Sequence, residues 1–291
     1  MPTALVFTLR PSRRATVAAS LGGAAHAAIL EQIAALDAPL ASQLHTMQGV
    51  RPLTVSPVLG VDQAGAQARV SPEQTYVLRV TCLSAGLEAV AQQWSATRFE
   101  RLSLGGILWQ VEHVAATPTQ HHWADSTSYE ELLSVVRRGA AQRGAPRWAF
   151  HFATPVMFRQ RHRCLPLPSP EHVFGSLLER WNALAPLPLT DDIRTFVATS
   201  LVVNDFDLRS TAMASKGGVP QIGAIGTCNY TVTRRDAYLE ACISVLARFA
   251  FYSGVGAGTA RGFGQAFCRQ HDRSVYTPGS ADPEPCVSGV A

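Results

Sequence analysis

The order of strand-like and helix-like segments constrains the fold of this chain more than any other feature. Apolar residues alternate with polar ones in strand segments and recur at helical spacing in helix segments. In the first half, strands are predicted at 3–10, 53–58, 75–82, near 102 and at 107–114, and helices at 22–36, around 40–44 and at 84–93. Apart from an added strand and a short helix, this order is strand, helix, strand, strand, helix, strand, the ferredoxin-like arrangement.

The same order recurs in the second half of the chain, without detectable sequence identity. Strands are predicted at 147–155, 196–208, 222–232 and 265–269, with helices at 170–184 and 237–252 and a hairpin turn at Gly217-Gly218. We therefore predict an α+β fold of two tandem ferredoxin-like (RNA-recognition-motif-like) βαββαβ domains, at 1–120 and 147–291. The segment 121–146 is predicted to connect them and to carry one short helix at 129–138.

Composition excludes several other classes of protein. With 47% hydrophobic and 16% charged residues in 291, the chain is too apolar to be disordered. No apolar run approaches the roughly 18 residues of a membrane-spanning helix, so no membrane partner is expected. The six cysteines are spaced singly without a CxxC pair, which disfavours structural zinc and suits a reducing cytoplasm. We expect neither a metal ion nor a cofactor.

The basic residues are almost all arginine. Of 25 basic residues only Lys216 is a lysine. Arginine makes bidentate contacts with phosphate and stacks on bases, so this composition suits nucleic acid. A GC-rich coding bias explains the same pattern equally well, and the pI of 8.9 is below that of a typical nucleic-acid-binding domain.

The segment from Gly254 to Gly264 contains five glycines in eleven residues. Such a segment lets the backbone approach a partner closely and direct its amides at an anion. It contains neither GxGxxG nor GxxxxGK[ST], and it follows a predicted helix and precedes a strand, the reverse of a nucleotide-binding loop. A tight helix-to-strand connection is expected to need one or two glycines, not five.

The glycine segment, spaced Gly-apolar-Gly, five residues, Gly-apolar-Gly, resembles the C-terminal loop of CRISPR-associated repeat-processing endoribonucleases, members of the repeat-associated mysterious protein superfamily. Further similar stretches occur in the family's order along the chain, at 44–57, 152–155, 165–168, 174–182 and 223–226. The resemblance implies two ferredoxin-like domains and metal-independent cleavage of precursor CRISPR RNA within each repeat. In that reaction the 2′-hydroxyl attacks the adjacent phosphate, giving a 2′,3′-cyclic phosphate and a 5′-hydroxyl.

The resemblance also implies catalytic residues. His45 matches the family's catalytic histidine, and Arg51 stands where members can carry a lysine, so its predicted role is charge stabilisation at the scissile phosphate. Some members place a tyrosine on the preceding helix, at the position of Leu30 here. His26 lies one turn before Leu30 on the same face, and we hypothesise that it acts opposite His45. The competing interpretation is a histidine that only packs at the helix start.

RNA binding is assigned to three groups of residues. The glycine loop is expected to hold the RNA backbone through its amides and side chains (Gly254, Gly256, Gly258, Thr259, Arg261, Gly262 and Gly264). A polar loop carries Arg159, Arg161, His162 and Arg163, and Arg234 and Arg235 precede the last helix, where their charge opposes the helix dipole. For the last two groups, exposure to solvent is an equally good explanation.

The expected partner is thus the repeat of precursor CRISPR RNA. One alternative is a non-catalytic RNA-binding subunit of a CRISPR effector complex, although such a subunit has no need for His45. Another is small-molecule binding by tandem ferredoxin-like domains, which predicts an apolar pocket and no basic groove. The sequence leaves open association with effector-complex subunits, homodimer formation, the form of the repeat, and the division of acid and base between His26 and His45.

Overall fold

The computed structural model describes residues 1–64, 67–94, 100–138, 146–161, 163–213 and 220–270. Its strands are β1 (Thr3–Pro11), β2 (Ala15–Ala18), β3 (Leu53–Val55), β4 (Asp62–Ala64), β5 (Gln67–Val70), β6 (Tyr76–Cys82), β7 (Arg101–Leu104), β8 (Ile107–Ala115), β9 (Asp125–Ser126), β10 (Arg147–Val156), β11 (Phe158–Gln160), β12 (Arg163–Leu165), β13 (Leu201–Met213), β14 (Gln221–Val232) and β15 (Ala266–Gln270). Its helices are α1 (Gly22–Leu36), α2 (Ala38–Thr46), α3 (Ala85–Gln93), α4 (Tyr129–Arg138), α5 (Pro170–Leu184), α6 (Asp192–Ser200) and α7 (Ala237–Ser253). A short 3-10 helix covers Thr259–Arg261.

Two antiparallel sheets form the framework, and their strand orders confirm the predicted fold class. The first sheet has the order β3-β6-β1-β8-β7, with β9 also paired to β1. The second has the order β13-β14-β10-β15. In both, the first and third strands of the βαββαβ unit lie in the middle, as in a ferredoxin-like domain. The predicted hairpin turn at Gly217-Gly218 and His162 lie outside the described residues.

Each sheet buries one face under helices. Alternate residues of β1, namely Leu5, Phe7 and Leu9, pack with Ile29 and Ile33 of α1 in the first core. The second core packs Phe150 and Phe152 of β10 against α5 and α7. The period-two and helical apolar patterns read from the sequence therefore mark the faces that these elements bury. No helix in the described part of the chain is long and apolar enough to cross a membrane.

Three segments differ from the sequence predictions. Residues 196–200 belong to α6, not to a strand, because apolar Ile193, Phe196 and Val197 recur at helical spacing and are buried. The polar segment after β10 is a hairpin in which β11 pairs with β12. A small sheet of β2, β5 and β4 was not predicted, since its strands have only three or four residues each.

The segment expected to connect the two halves packs against both of them. Asp125 and Ser126 extend the first sheet by pairing with Ala4 and Thr3. Helix α4 then packs on α7, and Tyr129 joins the second core while its hydroxyl donates to the Leu83 carbonyl at 2.9 Å. The division of the chain at residues 120 and 147 stays a prediction.

A buried arginine joins the two sheets. Arg79, on the central strand β6, is 1% exposed and donates to the carbonyls of Trp123 and Phe251 and to Oε1 of Gln265. Its guanidinium lies 4.5 Å from the centre of the Phe251 ring. Burial lowers the pKa of Arg79 to about 9, partly offset by Tyr252 and Asp125. Hydrogen bonds and a cation–π contact thus compensate a charge withdrawn from water.

We expect Arg79→Met to lower the free energy of unfolding by roughly 3 kcal/mol, because it leaves the buried Gln265 side chain and two partly buried carbonyls without their donor. Urea unfolding of the full chain measures this loss. The control is Arg69→Met, since Arg69 is exposed on β5. Equal stability of both variants and wild type would show that Arg79 does not hold the halves together.

Candidate active site

Two histidines of the site lie on consecutive helices, α1 and α2. His26 lies in the second turn of α1, and His45 lies exposed in the last turn of α2. The helices are separate because Asp37 leaves helical geometry and caps α2, its carboxylate accepting from the amide of Leu40 at 2.9 Å. The short helix predicted around 40–44 is confirmed as α2, and His45 lies at its end, ahead of β3.

Arg51 joins this pair from the segment between α2 and β3. Its Nη1 lies 3.3 Å from Nε2 of His26, and its Nη2 donates to the carbonyl of Met47 at 3.4 Å. A guanidinium only donates hydrogen bonds, so Nε2 of His26 is the acceptor. The proton of the neutral His26 ring therefore lies on Nδ1, which is buried and lacks a hydrogen-bond partner among the described residues.

The second half of the chain contributes Arg261 to the same place. The 3-10 helix that carries Arg261 contacts α1 and β3, and the amide of Gly262 donates to the Val55 carbonyl at 2.9 Å. This docking depends on the absence of a side chain at Gly22, where an added Cβ would lie 2.3 Å from the Arg261 carbonyl oxygen. The first half of the chain therefore supplies Arg51 to this site, and the second half supplies Arg261.

Electrostatics keep His26 unprotonated. Burial, with smaller contributions from the positive charges of Arg51, Arg261 and His45, lowers the pKa of His26 to about 4. Burial and the charge of Arg261 also lower the pKa of Arg51. These four side chains, which the sequence placed in two separate groups, thus form one electrostatic cluster, and the free protein holds a neutral imidazole beside two guanidinium groups.

The glycine loop has a defined backbone conformation that requires its glycines. All five of its glycines have a positive φ, between 64° and 99°, so the expectation that a tight connection needs only one or two glycines is wrong. At Gly264 an added Cβ would lie 2.0 Å from the Val255 carbonyl, and at Gly256 it would lie 2.3 Å from that of Met157. Only glycine adopts these conformations in such confined space.

Most of the loop's amides already have acceptors within the protein. Gly254 donates to Ala250, Gly256 to the hydroxyl of Ser176, Gly262 to Val55 and Gly264 to Pro155. These four amides are occupied. Of the loop residues predicted to bind RNA, this leaves Gly258, Thr259 and Arg261, of which Arg261 is exposed and Thr259 is buried.

Arg180 is a residue that sequence reasoning did not single out. This residue of α5 is 9% exposed, and its Nη2 donates to the Gly256 carbonyl at 2.8 Å. It lies in a stretch, 174–182, that carries the family resemblance, but a helical arginine has no sequence signature for buried contact with a loop. Its role here is to hold the glycine loop in place.

The β11–β12 hairpin presents arginines beside the glycine loop. Arg159, Arg161 and Arg163 are all exposed. The hairpin starts at Phe158, whose ring lies 3.2 Å from the position of a Cβ at Gly256. Arg161 has a φ of 44° at the turn of the hairpin. These guanidinium groups are therefore available to a ligand that extends from the loop.

Arg234 and Arg235 lie elsewhere. They precede α7, whereas the glycine loop follows it, and a helix of 17 residues is roughly 25 Å long. Arg235 pairs with the buried Glu240 in the first turn of α7, its Nη2 lying 3.0 Å from Oε2. The positive charge of Arg235, which opposes the dipole of α7, is therefore neutralised by a carboxylate of the protein itself.

Comparison with known proteins identifies related structures. The family model for the CRISPR-associated endoribonuclease Cas6 matches residues 150–266, and the model for the Cas6 N-terminal domain matches residues 1–134. Thermus thermophilus Cas6 is 27% identical, with a TM-score of 0.70 over 92% of this chain and 98% of that one. A product complex of the same protein gives 26% identity and a TM-score of 0.75, over 92% and 99% of the two chains.

More distant similarity concerns the fold alone. The product of a Cas6-related gene from Pyrococcus furiosus is 12% identical, with a TM-score of 0.63 over 94% of this chain and all of that one. No curated protein matches the chain at a significant level. In the described part of the chain, no group of three or more His, Cys, Asp or Glu side chains is placed to hold a metal ion.

We expect Gly22→Ala to displace the 3-10 helix, because its Cβ overlaps the Arg261 carbonyl. The predicted loss in unfolding free energy is about 1–3 kcal/mol, as for overpacked interiors. Gly23→Ala is the matched control, since an added Cβ there has no atom within 4 Å. Urea unfolding compares the two, and equal stability would contradict the close approach at Gly22.

A second prediction concerns pH. The unfolded chain protonates His26 near its ordinary pKa of 6.5, whereas the folded chain does so only near 4. Folding stability is therefore lost as the pH falls between these values. We expect His26→Gln to reduce this loss, measured by urea unfolding from about pH 7 to about pH 4.5. His121, whose pKa is also lowered to about 4, contributes to the same pH dependence but is present in both proteins. If the unfolding free energy of His26→Gln depends on pH as steeply as that of the wild type, the lowered pKa of His26 is contradicted.

Proposed function

We propose, since this chain belongs to the Cas6 family of CRISPR-associated endoribonucleases, that its two halves together cleave precursor CRISPR RNA within the repeat without a metal ion. The observation that carries the proposal is the cluster of His26, His45, Arg51 and Arg261, which supplies imidazoles and guanidinium groups at one place. In this proposal the 2′-hydroxyl attacks the adjacent phosphate. The O2′–P bond forms, the P–O5′ bond breaks, and the products are a 2′,3′-cyclic phosphate and a 5′-hydroxyl.

The pKa of His26 supports a division of the proton transfers. An imidazole with a pKa of about 4 is unprotonated at neutral pH and cannot supply a proton. We therefore propose that His26 accepts the proton of the 2′-hydroxyl through Nε2 and that His45 donates a proton to O5′. His45 is exposed at its helix end, where a substrate can reach it.

Arg51 connects substrate binding to the availability of His26. In the free protein it occupies Nε2 of His26. A phosphate group offers Arg51 a charged acceptor, which is a stronger partner than a neutral imidazole. We propose that the scissile phosphate draws Arg51 to itself and frees Nε2. The negative charge also offsets the two guanidinium groups, which raises the pKa of His26 toward that of an effective base.

The remaining predicted residues are proposed to contact the RNA without taking part in the proton transfers. Arg261 contributes a second cation beside the phosphate that develops charge in the transition state. Arg159, Arg161 and Arg163 bind the repeat where it leaves the glycine loop. For Arg235, the pairing with Glu240 supports a structural role at the start of α7 instead. The family match favours this enzyme over a non-catalytic RNA-binding subunit.

The decisive experiment incubates the full chain with end-labelled CRISPR repeat RNA in EDTA under single-turnover conditions. We expect cleavage at one site, and a rate lower by on the order of 100-fold or more in His45→Ala, the usual loss when an acid–base group is removed. His26→Ala is expected to lower the rate as well. A 2′-deoxy substitution at the cleavage site abolishes the reaction, because the nucleophile is missing.

His113→Ala provides the matched control, since His113 is an exposed histidine on β8, in the same half of the chain as His26 and His45. Cleavage that needs added magnesium, or cleavage of the 2′-deoxy RNA, would overturn the proposed chemistry. Full activity of His26→Ala would remove that residue from the proton transfers.

A further inference from the structure

Helix α5 presents two polar side chains to one residue of the glycine loop. Ser176 and Arg180 lie four positions apart, so they share a face of the helix. The hydroxyl of Ser176 accepts from the amide of Gly256 at 3.2 Å, and Nη2 of Arg180 donates to the carbonyl of Gly256 at 2.8 Å. The helix thus holds both backbone polar groups of the same loop residue.

Stability alone does not explain why Arg180 is buried. The residue is 9% exposed, and burial lowers its pKa to about 10, partly offset by Glu179. Within the described residues it forms no ion pair, and the Gly256 carbonyl is its single hydrogen-bond partner, although a guanidinium has five donors. An apolar side chain of similar volume is often at least as stable as a buried charge. A role in placing the loop accounts for a cation at this position.

The loop links Gly256 to Arg261 through its own hydrogen bonds. The amide of Val255 donates to the carbonyl of Gly264 at 2.8 Å, which closes the base of the loop. The amide of Arg261 donates to the carbonyl of Gly258, also at 2.8 Å. Gly258 is only two positions from Gly256, so a displacement of Gly256 is passed to the backbone that carries Arg261.

We propose that Ser176 and Arg180 are positioning residues, which hold the glycine loop at Gly256 and thereby place Arg261 beside His26. Neither residue touches the reacting atoms. The charge of Arg261 helps to lower the pKa of His26, so a displaced loop leaves a His26 that is protonated at higher pH. The consequence for cleavage rests on the function proposed above, because a protonated His26 cannot accept the proton of the 2′-hydroxyl.

Histidine NMR of the full chain tests this placement without RNA. The His26 signal is identified by its absence from His26→Gln, and its titration is followed from about pH 8 to about pH 4.5. Arg261→Gln removes the cation and is expected to raise the pKa of His26 from about 4 toward 6.5. Arg180→Met is expected to raise it in the same direction. Ser176→Ala is expected to raise it less, because it removes a neutral hydrogen bond.

The double variant of Arg180→Met with Arg261→Gln shows whether Arg180 acts through Arg261. If it does, the double variant has the same His26 pKa as Arg261→Gln alone. Full additivity of the two shifts would overturn the proposal. An unchanged His26 pKa in both Arg180→Met and Ser176→Ala would overturn it as well.

Two control variants separate placement of the loop from general effects. Leu178→Ala removes packing from the part of α5 that lines a small cavity with Ile193 and Val197 of α6. Arg194→Met removes an exposed cation of α6. Both are expected to leave the pKa of His26 unchanged. Should Arg180→Met unfold within the titrated range, Ser176→Ala, which keeps the guanidinium, carries the test.

Single-turnover cleavage of the repeat RNA is measured in parallel. At saturating protein, Arg180→Met is expected to lower the rate on the order of tenfold or more, because Arg261 is misplaced. A loss of RNA affinity alone, with the His26 pKa unchanged, would overturn the proposal and assign Arg180 to direct contact with RNA. If the wild type does not cleave the RNA while the NMR shifts are observed, the placement of Arg261 stands and the proposed function fails.

Discussion

The contact between the two sheets is the constraint on which the rest of this structure depends. Arg79 crosses it with hydrogen bonds to Phe251 and Gln265, and the Gln265 side chain in turn donates to Thr54 at 3.3 Å. Removing a guanidinium from water is costly, so it is tolerated only where the protein supplies its acceptors, two of which come here from the opposing half. This requirement fixes how the halves meet, and the amide of Gly262 can then reach the carbonyl of Val55.

The electrostatic character of the site follows from that arrangement. Arg51 comes from the first half and Arg261 from the second, and together with burial they hold His26 neutral. The first half places Arg51 and His45 near this imidazole, and the second half adds Arg261. The free enzyme thus concentrates positive charge around a histidine that is short of a counter-ion, and the phosphate of an RNA backbone is the complementary group. In the proposed mechanism, the same charges couple substrate binding to activation of His26 as the base.

Sequence analysis predicted helices and strands accurately where the apolar periodicity extended over many residues. The helices α5 and α4 have the predicted bounds, and the short helix expected around 40–44 is α2. It failed at residues 196–200, where a short apolar run fits a strand or a buried helix equally well. Arg51 and His26 were expected to share a site on family resemblance, but their direct contact joins residues 25 positions apart and no local pattern reports it.

The sequence by itself determined the order of elements, the apolar faces that form the two cores, and the residue types suited to RNA chemistry. These properties depend on neighbours within a few residues, which set propensity and periodicity. Tertiary structure decided that four amides of the glycine loop are used internally, that Glu240 neutralises Arg235, and that Arg261 lies beside His26. These outcomes depend on long-range packing, in which distant backbone groups and charges must be satisfied together once water is excluded.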